Sequence, residues 1–103
     1  MQVYIHYNLH GGTPEAHAEV KRQMIENLGY YDNFMLGSMH CNLPNTSLWH
    51  LDRIDSDAAK NDLNNVVAII NRGRTTINMA RIERCVAMIF TGVSAIEGDP
   101  HRT

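Results

Sequence analysis

An α+β domain is what this sequence predicts, and three observations lead to it. Gln2 to Leu9 alternates apolar and polar residues at the period of a strand. Two later stretches, ending near Leu28 and Gly73, repeat apolar residues at the period of a helix. Between and after them lie short runs rich in Phe, Met, Val and Ile. The resulting order, strand, helix, strand, strand, helix, strand, is the split β-α-β repeat called ferredoxin-like. It implies one four-stranded antiparallel sheet in the order 4-1-3-2, with both helices on one face and the other face open.

The first strand puts Val3, Ile5, Tyr7 and Leu9 on one face and Tyr4, His6 and Asn8 on the other. Gly11-Gly12 ends it. Thr13 then supplies an N-cap, Pro14 a first helical residue, and Glu15 a charge suited to the helix dipole. Ala16, Val20, Met24 and Leu28 form the buried stripe of this helix, and Gly29 is placed to close it. Strand two begins near Phe34. The stretch Gly37 to Leu51 reads as a hairpin around Pro44-Asn45-Thr46, with Leu43 facing Ser47, Cys41 facing Trp49, Met39 facing Leu51, and His40 facing His50. Its loop needs a left-handed residue, and Asn45 tolerates that conformation best.

Asp55 or Ser56 caps the second helix, whose stripe is Ala59, Leu63, Val66, Val67 and Ile70. Arg74 to Glu83 fits loop, short helix or strand equally, and Arg84 to Phe90 reads as the last strand. Residues 1–92 make a single domain on this reading, and 93–103 a fraying tail.

The chain has 103 residues, 44% of them hydrophobic and 19% charged, which suits one soluble globular domain. A net charge of -2 argues against coating nucleic acid by bulk charge. No apolar run approaches the roughly 18 residues a membrane span requires, and the first residues do not form a signal peptide. Cys41 and Cys85 are too few and too far apart for a disulfide framework, and would sit near opposite sheet edges, so a reduced cytoplasmic protein is expected.

Three groups of residues carry possible chemistry. His6, His40 and His50 all point to the open face in the expected register; they are either metal ligands or satisfied polar residues of a dimer interface. Asn8 and His10 end the first strand before the glycine turn, a common place for site residues, although such a position is also simply a strand end and capping turn. Arg72, Arg74, Arg81 and Arg84 cluster within thirteen positions, and arginine forks suit phosphate oxygens. Arg72 has a structural reason as well, at a helix C-terminus. Which cofactor, if any, the protein uses is left open by the sequence. Ser47 and Thr46 have no sequence neighbour that would activate them.

The first strand ends in Tyr7-Asn8-Leu9, the first helix closes with Leu28-Gly29-Tyr30, and a turn region reads Leu43-Pro44-Asn45-Thr46-Ser47-Leu48-Trp49. Together these resemble the small ferredoxin-like proteins grouped with SinR-like and VapD-like sequences, the CRISPR adaptation ribonuclease-like fold and the GhoS-type antitoxin endoribonuclease. The resemblance spans about Gln2 to Phe90 and implies a homodimer in contact with RNA, in a toxin–antitoxin or endoribonuclease role. That group often ends its first strand in Tyr-Asp-Leu, the aspartate being the proposed metal ligand for phosphodiester cleavage. Asn8 stands there instead, so a two-carboxylate magnesium site is not available. The expected roles are therefore phosphate binding by the four arginines, with Asn8 and His10 nearest any catalysis. The alternative is a non-enzymatic interaction or regulatory module that uses the open sheet face.

Overall fold

The computed structural model describes residues 1–92; the expected tail, 93–103, lies outside the described residues. In chain order the elements are β1 (Val3–His10), α1 (Pro14–Leu28), β2 (Asn33–Leu36), β3 (Met39–Asn42), β4 (Ser47–His50), α2 (Ser56–Asn71), a 3-10 turn (Thr76–Asn78) and β5 (Arg81–Ile89). The class is α+β, with two helices and five strands.

The two helices begin and end on local chemistry. Thr13 accepts a hydrogen bond from the Ala16 amide at 3.1 Å, Pro14 opens α1, and Gly29 closes it at φ 79°. Asp55 caps α2 by accepting from the Ala58 amide at 2.8 Å. One core gathers both stripes, Ala16, Val20 and Met24 from α1 with Ala59, Leu63, Val66, Val67 and Ile70 from α2, against Val3, Ile5 and Tyr7 of β1 and Leu48 of β4. Both helices therefore cover the same face of the sheet.

The sheet itself differs from the single four-stranded one the pattern implies. Three antiparallel strands pair in the order β4-β1-β5, and β2 with β3 forms a separate two-stranded ribbon. The hairpin expected around Pro44-Asn45-Thr46 does not form. Its first arm pairs backwards instead, Asn33 with Asn42 through Leu36 with Met39, across the two-residue loop Gly37-Ser38. Gly37 has φ 60°, the conformation a tight hairpin loop requires and glycine adopts freely. Leu43 to Thr46 then carries the chain from ribbon to sheet, where Ser47–His50 pairs with β1 from Val3 opposite His50 to His6 opposite Ser47. The left-handed residue of this passage is Thr46, at φ 65°, and not Asn45.

That register moves every side chain of β4. Leu48 joins the core, and Trp49 turns to the face away from the helices, opposite Tyr4. There Trp49 pins the ribbon to the sheet. Its backbone exchanges hydrogen bonds with Tyr31 at 2.8 and 3.0 Å, its indole N–H donates to the Asn33 carbonyl at 2.8 Å, and its ring packs on Tyr31 and Phe90. Cys41 is buried in the ribbon, Cys85 lies on β5, and both are free thiols. No helix among the described residues is long and apolar enough to cross a membrane.

Candidate functional site

One end of the molecule collects most of the residues singled out by type. β1 finishes there, α1 starts there, α2 ends there and β5 begins there, and close backbone contacts lock the four together. A Cβ on Gly11, at φ 72°, would sit 2.9 Å from the Met79 carbonyl oxygen, and one on Gly12, at φ 74°, would sit 3.1 Å from Ala80. Glycine is required at both for approach as well as for φ. Asn71, the last residue of α2, holds the same segment: its amide donates to the Ala80 carbonyl at 2.8 Å, and its oxygen accepts from the Ala80 N–H at 3.0 Å.

The pairing of β1 with β5 then sets candidates side by side. Asn8 lies opposite Arg84 and His10 opposite Arg81, with a bulge between Asn8 and Leu9. Opposed residues share a face. Leu9, Ile82 and Cys85 pack toward the core, so Asn8, His10, Arg81 and Arg84 share the face turned away from the helices. Arg72 and Arg74 leave the C-terminus of α2 at this same end, where the Arg74 guanidinium donates to the Ile70 carbonyl at 3.1 Å. The electrostatics of these cations set them apart. Lys21, Arg22, Arg53 and Lys60 all pair with carboxylates of Asp32, Glu19 and Glu26, Asp62 and Asp57. Among the described residues Arg72, Arg74 and Arg81 have no carboxylate partner, and Arg84 has only Glu83 at 3.9 Å.

Asn8 also borders a cleft of about 710 Å³ beside the start of α1, walled by Tyr7, Thr13, His17, Lys21 and Thr46 among others. Tyr7 is 2% exposed, and burial pushes its phenol up to about 12. The sequence marks Tyr7 only as a core residue; that it also borders a cleft depends on where Asn45 and Thr46 cross. A second cavity, about 640 Å³, lies between the ribbon and the sheet and is lined mainly by Tyr4, Phe34, Leu43, Trp49, Met88 and Phe90.

The three histidines proposed as a metal set do not converge. The β4 register turns His50 to the helix side, where its Nε2 donates to the Leu28 carbonyl at 2.9 Å and its ring meets Tyr30 edge-on. His40 is on the ribbon, 3.1 Å from the Asn33 side-chain oxygen. His6 stays on the outer face, its Nδ1 2.9 Å from the Ser47 hydroxyl, which also bonds the Tyr4 hydroxyl at 3.0 Å. Ser47 thus has the histidine neighbour that its sequence context lacks. It is fully enclosed, so the trio fastens β4 to β1 and presents no nucleophile. No cluster of three or more His, Cys, Asp or Glu suited to a metal ion occurs among the described residues.

Comparison with protein-family models, with curated proteins and with solved structures finds no match to this chain.

Proposed function

We propose that this is a cytoplasmic RNA-binding protein that holds phosphates at the arginine end of the molecule. The observation that supports this reading is the contrast between its cations. Four arginines lie toward one end, Arg72 and Arg74 beyond the C-terminus of α2 and Arg81 and Arg84 on the outer face of β5, with no carboxylate nearer than Glu83 at 3.9 Å from Arg84, while every other described lysine and arginine has a closer carboxylate. Guanidinium groups without a close carboxylate offer planar forks to phosphate oxygens, and the exposed Asn8 and His10 lie opposite Arg84 and Arg81. Binding is the role assigned. His10 is the nearest group able to carry a proton if the RNA is also cleaved. The net charge of -2 makes the contact local rather than a coat. Two free thiols suit a reducing compartment.

The test is fluorescence anisotropy with single-stranded and duplex RNA over a salt series. Four phosphate contacts give a logarithmic salt slope near -3 on a single strand, and Arg81→Ala and Arg84→Ala should each lower it by about 0.7. Binding that ignores salt, or no binding, removes the reading. A homodimer through the apolar half of β5, where Val86 is 54% and Met88 49% exposed, is part of the same proposal. Sedimentation of Val86→Glu beside the parent protein checks it, a dimer becoming a monomer.

A further inference from the structure

We propose that the cleft between Asn8 and the first turn of α1 is a binding site for a phosphate monoester, which it grips through the Tyr7 hydroxyl and the Lys21 ammonium. The site uses residues other than the four arginines, so it goes beyond the RNA reading and stands or falls separately.

Tyr7 supplies the first reason. Its side chain is almost wholly enclosed, yet its hydroxyl has no hydrogen-bond partner within the described residues. No sealed polar side-chain atom among those residues is left unpartnered, so the hydroxyl keeps its remaining exposure. Tyr7 is one of the residues that line the cleft. A hydroxyl so nearly enclosed, with only water to meet, is placed to donate to a ligand oxygen. The phenol stays protonated at neutral pH, so it donates.

The charge of the cleft supplies the second. Among the described residues no carboxylate lines it, and its one full charge belongs to Lys21. Lys21 holds Asp32 only loosely, at 3.6 Å, which leaves the ammonium able to turn inward. The positive end of α1, a helix of 15 residues, adds to the same field. Pro14 has no N–H, and the Ala16 and His17 amides are taken by Thr13, but the Gly12, Thr13 and Glu15 amides donate to no acceptor among the described residues. The His17 ring is held against the Gly11 carbonyl at 2.6 Å and keeps the turn in place.

Number and charge of donors choose the ligand. A phenol, an ammonium and several amides exceed what the two oxygens of a carboxylate accept, whereas a monoester dianion presents three oxygens. The volume, about 710 Å³, leaves room for the group the phosphate is attached to, such as a nucleoside. The monoester could belong to a free mononucleotide or to a phosphorylated RNA end.

Amide chemical shifts of the intact protein test the site against inorganic phosphate, adenosine monophosphate, and a short RNA with or without a 5′-phosphate. Saturable shifts at Gly12, Thr13 and Lys21 are expected, weakened about tenfold or more in Tyr7→Phe, which removes one hydrogen bond to a charged group. Lys21→Gln, a surface change, should weaken them as well. Response to the mononucleotide assigns a free monoester; response only to the phosphorylated RNA assigns a strand end. No saturable shift with any probe overturns the proposal, as do Tyr7→Phe and Lys21→Gln that bind like the parent. RNA affinity lost in Arg81→Ala while phosphate still shifts Gly12 keeps this site and the arginine end distinct.

Discussion

Removing the Asn71 side chain should loosen the whole end of the molecule on which the proposed function depends. Two hydrogen bonds, at 2.8 and 3.0 Å, join it to both backbone groups of Ala80, and Ala80 is completely buried. In Asn71→Ala an N–H and a carbonyl lose their partners in a place water does not reach freely, at about 1–3 kcal/mol each. Water entering the vacated space returns some of that, so a net loss of about 2–4 kcal/mol is expected. A domain of this size has only about 5–15 kcal/mol to lose. Asn71→Asp is the companion variant: it keeps the acceptor for the Ala80 N–H but sets a carboxylate oxygen against the Ala80 carbonyl and a negative charge at the C-terminus of α2, so at neutral pH it should lose at least as much as alanine. Urea unfolding followed by circular dichroism reads both, with an unchanged slope showing that the native state alone was altered. A loss below about 0.5 kcal/mol in Asn71→Ala would refute the argument, because an exposed or spare pair of bonds behaves that way.

Thr46→Gly should stabilise the protein. Threonine at φ 65° carries a left-handed backbone that costs about 1–2 kcal/mol, and glycine returns part of this in lost chain entropy, leaving about 0.5–1 kcal/mol of gain. Thermal unfolding should rise by a few degrees, and a fall would show that the Thr46 side chain contributes more than its backbone costs. The acid limb of stability should respond at Asp32. The Asn33 side-chain amide, and after it the charge of Lys21, hold the Asp32 carboxyl below its ordinary value. Its folded pKa is therefore lower than its unfolded one, so its contribution is present above the unfolded value of about 3.9 and disappears as pH falls through the folded value. In a carboxyl-carbon NMR titration Asn33→Ala should raise the midpoint more than Lys21→Gln, and equal or absent shifts would contradict the order of causes.

Local chemistry made β1, α1 and α2 legible: strict alternation in Val3 to Leu9, the Thr13-Pro14 opening, Gly29, and the Asp55 cap are all short-range signals that tertiary packing had no reason to override. The hairpin was harder because two turn signals competed. Pro44-Asn45-Thr46 looks like the stronger, but Leu36-Gly37-Ser38-Met39 offers a glycine at the first loop position, and a two-residue loop closes with less entropy to overcome. Choosing the wrong turn shifts a strand to a new partner and flips its faces, which is why His50 and Trp49 exchanged sides. The arginines and Asn8 were visible as types. Their adjacency was not, since it depends on a bulge beside Leu9 and on a β5 that starts at Arg81, within the stretch that patterning left ambiguous.

The ribbon also changes what the outer sheet face can do. It lies over the half that carries Tyr4, Trp49 and Phe90, making a mostly apolar cavity there, and leaves the half with Asn8, His10, Arg81 and Arg84 uncovered. Along β5 the residues follow the same division, from Arg81 and Arg84 to Val86 and Met88. Among the described residues β5 is an edge strand of the sheet, with its outer backbone groups open to a second chain. A two-fold axis through the Val86–Met88 region would pair two such edges antiparallel and direct the arginine ends away from each other. An axis near Arg84 would instead bring Arg81 and Arg84 of two chains together, with only Glu83 of each to offset them. For the proposed dimer, charge therefore favours closure at the apolar half, with the two proposed phosphate-binding ends at its outer flanks.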